Sequence, residues 1–141
     1  MSPEIESIWQ DEKSLQDSIE QSFIEDGIEY ERERNVPGIG RADFVVATHG
    51  PVVVEVKWPR RLVEFGRASG QARFYAAALG IDRAAVAIPE SCGHHLGNAH
   101  LLRALVGLNV EVWMCCELFG RCDDIQHIDV RYRLEHLGDD E

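Results

Sequence analysis

Two short β-branched runs, Asp43-Phe-Val-Val-Ala-Thr48 and Val52-Val-Val-Glu-Val-Lys-Trp58, are joined through Thr48-His-Gly-Pro51. Runs of this length and composition, broken by a Gly-Pro turn, fold as a β-hairpin and resist helix formation. Along the second run Val52, Val54 and Val56 fall on one face, which reads as a core face. Val53, Glu55 and Lys57 fall on the other, because side chains alternate across a strand. The pattern thus requires a sheet, and it places a carboxylate and an ammonium side by side within that sheet.

The remaining segments supply partners for this hairpin. A segment from about Ile5 to Asp26 carries Ile8, Leu15, Ile19 and Phe23 as an apolar stripe on an acidic helix, with Gly27 at its C-terminal cap. Ile28–Arg34 reads as a strand and Asn35–Gly40 as a turn or loop. Leu62–Leu79 is expected to be helical, with Gly80 just beyond its end. Ala84–Ile88 is wholly apolar, as in a strand buried on both faces, and Val110–Cys115 reads as another buried strand. A polar loop, Pro89 to Asn98, and a helix from about Ala99 to Leu108 separate those two strands. Gln126–Leu134 alternates and is expected to be an edge strand. The order α-β-β-β-α-β-α-β-β gives an α/β fold, a mixed central β-sheet flanked by helices.

With 141 residues the chain fits one domain, 1-141, and no repeat or linker divides it. No apolar stretch approaches the roughly 20 residues of a membrane span, and the N-terminus is acidic, so a cytoplasmic protein without a membrane partner is expected. The cysteines Cys92, Cys115, Cys116 and Cys122 form no CxxC pair and read as free thiols. The net charge is −11, whereas a nucleic-acid partner usually meets a basic surface. The acids are uneven, however, concentrated in residues 4–33 and the tail Gly138–Glu141. Two lysines, Lys13 and Lys57, stand against twelve arginines, several of them clustered. The sign of the net charge therefore does not decide the partner.

Twelve positions separate Asp43 from Glu55, with the turn about midway, so the two carboxylates can lie opposite one another at one end of the sheet. Two carboxylates with several retained waters suit Mg²⁺, with Mn²⁺ as a substitute, and the Val56 carbonyl is a further candidate ligand. Such an ion activates water and offsets charge developing on a phosphoryl group. Lys57 beside it would orient the water or stabilise the transition state. The competing reading is a plain charged pair on a solvated strand face.

The pattern D-x(11)-E-V-K across a hairpin, preceded by a glycine-containing loop and an acidic helix, resembles the PD-(D/E)XK nuclease superfamily, which includes restriction endonucleases and Holliday-junction resolvases. Gly70-Gln-Ala-Arg-Phe-Tyr75 is similar to the additional QxxxY motif of a subgroup resembling recombination exonucleases. The resemblance covers roughly residues 12–115 and departs from the family pattern at Ala42, where proline is usual. It implies a restriction-endonuclease-like core, α-β-β-β-α-β, extended here by a further helix and strands. It also implies metal-dependent phosphodiester hydrolysis, with DNA favoured over RNA as the partner. Asp43 and Glu55 would be ligands and Lys57 the catalytic lysine. Gln71 and Tyr75 would position the backbone or the active-site groups, or else simply pack. A first-helix acid often joins such a site; Glu20 is the first choice, with Glu12, Glu25 and Gln16 as competitors. A catalytically silent binding or assembly module on the same fold is the alternative. A homodimer, or membership of a larger DNA-processing assembly, is compatible with either.

Arg41, Arg60, Arg61 and Arg67, with Arg73 as an outlying member, are expected to form a basic rim that binds substrate phosphates. The loop holding Cys92, His94, His95 and His100 admits zinc binding, helix capping or substrate contact. Structural zinc sites generally show a second ligand pair, which the loop itself does not supply. Neither a Gly-rich phosphate loop nor a Gly-x-Ser-x-Gly elbow is present.

Overall fold

The computed structural model describes residues 11–118 and 121–137, so the expectations for Ile5, Ile8 and the acidic tail lie outside the described residues. Six strands, β1 (Glu29–Val36), β2 (Gly40–Ala47), β3 (Pro51–Val56), β4 (Arg83–Pro89), β5 (Val110–Leu118) and β6 (Arg121–Ile128), form one sheet in sequential order. The pairs β1–β2, β2–β3 and β5–β6 are antiparallel, while β3–β4 and β4–β5 are parallel. Helices α1 (Glu12–Glu25), α2 (Leu62–Leu79), α3 (Ala99–Leu108) and α4 (Val130–Glu135) flank this mixed α/β sheet.

Helix α1 begins at Asp11, whose carboxylate accepts the Ser14 N–H at 2.8 Å. Its Leu15, Ile19 and Phe23, spaced by four, pack onto Phe44, Val46, Val52, Val54 and Val56. Each such side chain contributes about 1.5–3 kcal/mol by leaving water. On the opposite face α2 presents Ala68, Ser69, Ala72 and Ala76, small enough for close approach, with Phe65 and Tyr75 filling the flanks. That helix ends at Gly80 in the left-handed region (φ 70°), as its place in the sequence predicts. Both faces of β3 are covered, and Glu55, 5% exposed, is therefore not on a solvated strand face.

The C-terminal segment corrects the sequence reading. Gln126–Leu134 is not one strand. The edge strand is β6, ending at Ile128, and α4 follows. Asp129 makes the change by accepting the Tyr132 N–H at 3.0 Å, a helix cap. Val130 and Leu134, four apart, then face the core. Helical spacing and strand alternation coexist in these residues, and the cap decides between them. The polar loop after β4 is also ordered, as a 3-10 helix over Glu90–Gly97.

Candidate active site

Strands β2 and β3 are paired from Ala47↔Pro51 to Phe44↔Val54, and Asp43 and Glu55 are the next residues in that register. There the strands part, and side chains replace the backbone ladder. The Asp43 N–H donates to Glu55 Oε2 at 2.7 Å, and the Val56 N–H donates to Asp43 Oδ2 at 2.8 Å. Each carboxylate is thereby fixed by the opposite strand. Asp43 Oδ1 and Glu55 Oε1 make no hydrogen bond among the described residues. The Lys57 N–H donates to the Ala87 carbonyl across the parallel pair, so alternation turns the N–H and C=O of Val56 toward β2 and the fork.

Burial pushes Asp43 up to about 6, against the Val56 N–H that favours its charged form. Glu55 is pushed to about 8, by burial first and by the charge of Asp43 second. Two desolvated carboxylates in contact cannot both ionise cheaply. Lys57 Nζ lies 3.3 Å from Glu12 Oε2, which brings the N-terminal end of α1 over the fork. Asp11, Glu12, Lys57, Trp58, Arg60 and Glu64 line an open cavity of about 310 Å³ at this point.

The first-helix carboxylate that meets this group is Glu12, not Glu20. Glu20 accepts from Tyr30 Oη at 2.7 Å and from Arg32 at 2.9 Å, and Gln16 accepts from the same guanidinium. Glu25 faces Arg121 at 3.5 Å. Residues 12, 16 and 20 share a helical face, but Tyr30 and Arg32 of β1 meet its later part.

Gln71 Nε2 donates to Tyr75 Oη at 2.9 Å, with Gln71 exposed and Tyr75 buried. The Tyr75 hydroxyl lies against Gly40, where a Cβ would come within 2.9 Å of it. This pair packs at the start of β2 and makes no hydrogen bond to Asp43, Glu55 or Lys57. Arg41 and Arg67 are exposed and form no ion pair among the described residues. The Arg60 guanidinium lies 5.4 Å from the Trp58 ring centroid, and Arg61 is 3.9 Å from Glu64. Arg73 leaves the rim altogether: it donates to the carbonyls of Leu108, Asp82 and Asn109, tying α2 to the end of α3.

The Cys/His loop has a role that sequence reasoning missed. His95 Nε2 and Cys92 Sγ both reach the Pro59 carbonyl, at 2.8 and 3.5 Å. A carbonyl only accepts, so His95 carries its proton on Nε2. Burial pushes the Cys92 thiol up to about 11, which makes it a poor nucleophile. Among the described residues no group of three His, Cys, Asp or Glu side chains is placed to hold a metal ion. The fork itself offers two carboxylates, because that of Glu12 is engaged by Lys57.

Comparison with protein-family models, curated proteins and solved structures gives no match to this chain. No helix among the described residues is long and apolar enough to cross a membrane.

Proposed function

We propose that the chain is a metal-dependent nuclease that hydrolyses phosphodiester bonds, with DNA as the favoured substrate and with a restriction-endonuclease-like core. The observation that carries this reading is the fork: two carboxylates, each oriented by the other strand's N–H, beside a lysine on the next turn of chain. Asp43, Glu55 and Glu12 ionised against one Lys57 ammonium leave an excess of two negative charges, which burial resists at Asp43 and Glu55. A divalent cation matches this deficit in charge. Its preferred donors are oxygens, and Mg²⁺ or Mn²⁺ retains waters where protein ligands are few. Asp43 and Glu55 would hold it, with the Val56 carbonyl as a third oxygen. When bound, the ion supplies Lewis acidity toward a phosphoryl oxygen and lowers the pKa of water.

Lys57 then acts from outside the ligand set. Its ammonium, steadied by Glu12, donates toward water or a phosphoryl oxygen at the cavity that both residues line. Glu12 aims the lysine, acting as a positioning residue. Gln71 and Tyr75 support the site indirectly, through Gly40 and the path of β2 toward Asp43. Arg41, Arg60, Arg61 and Arg67 remain candidates for phosphate contact.

The net charge of −11 favours a second reading, a silent module on the same fold. One experiment separates the two. Pure protein is incubated with labelled linear, circular and branched DNA and with RNA, with and without Mg²⁺, beside the Asp43→Asn and Lys57→Ala variants. Mg²⁺-dependent cleavage lost in both variants supports the nuclease. Absence of cleavage by wild type on every substrate, or equal cleavage by the variants, overturns it.

A further inference from the structure

Next to the cavity of Lys57 and Glu12 lies a second open cavity, of about 420 Å³, that the hydrolytic reading does not use. Trp58 and Arg60 belong to both cavities and form the wall between them. Trp58 directly follows Lys57, so the wall stands within one nucleotide's reach of the catalytic lysine. The rest of the second cavity includes Pro59, Glu90, Ser91 and His94. We infer that this cavity receives an unpaired nucleobase next to the phosphate to be cut, so that the nuclease proposed above acts on a single strand, a frayed end or a flap. The inference rests on that reading.

Four observations converge on a base. First, the half-buried Trp58 ring carries the exposed Arg60 guanidinium over it, and planar bases stack on arginine as on aromatic rings. Second, the platform is rigid. Trp58 packs against both cores, and His95 and Cys92 hold the Pro59 carbonyl from below. Third, the Glu90 and Glu117 carboxylates and the Ser91 hydroxyl line the cavity, acceptors that suit the amino groups of cytosine, adenine or guanine, with Glu90 Oε1 also accepting the Glu117 N–H at 3.3 Å. The backbone then belongs on the Lys57 and Arg60 side, where the proposed cation would offset the carboxylates of Asp11, Glu12 and Glu64. Fourth, a chain with net charge −11 gains little from counterion release, and stacking is the contact with nucleic acid that charge does not penalise. A base paired within a duplex has its faces covered and cannot enter, which makes strandedness the selected property.

The test uses the full chain and labelled oligonucleotides, with Ca²⁺ in place of Mg²⁺ to suppress cleavage. Affinity is read by fluorescence anisotropy for a single strand, the same strand with an abasic residue scanned along it, and its duplex. Wild type should bind the intact single strand about tenfold more tightly than the duplex or the strand abasic at the critical position. Trp58→Leu should lose this preference. Ser91→Leu, at an exposed position of the 3-10 helix, should lose it by filling the cavity without touching the core, and it decides the matter should Trp58→Leu fail to fold. Equal affinity for single strand, abasic strand and duplex overturns the pocket, as does no measurable binding, or a preference unchanged in Ser91→Leu. A parallel incubation with Mg²⁺ distinguishes the two proposals. Base-dependent binding without cleavage overturns the nuclease and keeps the pocket; cleavage without base dependence does the reverse.

Discussion

Strand β3 has charge clusters at both ends, and they are built on opposite principles. At the hairpin end, Arg83 grips Glu111 through two bonds of 2.7 and 2.9 Å and also donates to the carbonyls of Thr48 and His49. Burial raises the Glu111 carboxyl, but the Arg83 guanidinium and the Trp113 indole outweigh that and hold it below its ordinary value. At the far end Asp43 meets Glu55, and both are raised, to about 6 and about 8. One end is satisfied by the chain itself; the other is left wanting positive charge. Opposed charges fasten a hairpin to the sheet, while like charges held together mark a place built for something the chain does not contain.

The sharpest way to break this contrast is through activity. Asp43→Asn and Lys57→Ala should each lower hydrolysis by roughly 10³-fold or more with little change in melting temperature, because asparagine keeps an oxygen for the Val56 N–H and a half-exposed pair such as Lys57–Glu12 contributes only about 0–1 kcal/mol. Lys57→Arg should not restore the rate, since a planar guanidinium does not fit an ammonium's place. A comparable loss in Arg83→Ala would erase the distinction between the two ends.

The pH dependence of stability should differ next. Asp43 and Glu55 bind protons more tightly when folded, so their ionisation opposes folding. With metal removed by chelator, stability should fall as pH rises from about 4 to about 8, by a few kcal/mol at about 1.4 kcal/mol per unit. Urea titrations of wild type and the Asp43→Asn/Glu55→Gln double variant should show the slope vanish in the variant. Glu111 runs the other way: its contribution is present above its unfolded value and lost as pH falls through its lower folded value. Mn²⁺ added at pH 6 to 7 should bind with release of protons, visible by calorimetry in buffers of different ionisation enthalpy.

Arg83→Ala should cost about 1–3 kcal/mol in the same urea titration, since it strands a half-buried Glu111 and frees the hairpin turn. The smallest effect belongs to the rim. Arg60→Ala/Arg61→Ala should reduce the slope of log affinity against log salt by about one unit, measured with Ca²⁺. Arg61 is exposed and already near Glu64, so an unchanged slope would leave Arg60 to the Trp58 platform alone.

The hairpin was legible because strand register follows from counting: residues 43 and 55 continue the line of Phe44↔Val54. Helix α2 was legible over Leu62–Leu79 with Gly80 as its stop, and α3 was legible at about Ala99 to Leu108. The choice of Glu12 was not legible, since it depends on which end of α1 lies over the fork. Tyr30 and Arg32, which claim Glu20, were invisible as its partners in a linear reading. The edge strand was placed too late, at Gln126–Leu134, because Arg121-Cys-Asp-Asp-Ile-Gln-His is polar, with few strand-forming residues, and gains its conformation from pairing with β5. The clamp on Pro59 joins residues 33 and 36 positions apart, a distance no local pattern spans.

The closeness of Gly40 to Tyr75 sets an order on the substitutions this chain can accept. A methyl group at position 40 would sit 2.9 Å from the phenol oxygen of a ring held in the core, so Gly40→Ala must displace the ring and break its bond to Gln71. After Tyr75→Phe the oxygen is gone, and the nearest remaining ring carbon lies at 3.6 Å, ordinary contact. Position 40 is therefore closed twice over while the tyrosine stands: loss of the hydroxyl would relieve the contact but leave a backbone at φ 157°, which L side chains rarely adopt. Among descendants of this sequence, glycine at 40 should outlast the tyrosine, whereas Gln71, deprived of its acceptor by phenylalanine at 75, should drift freely.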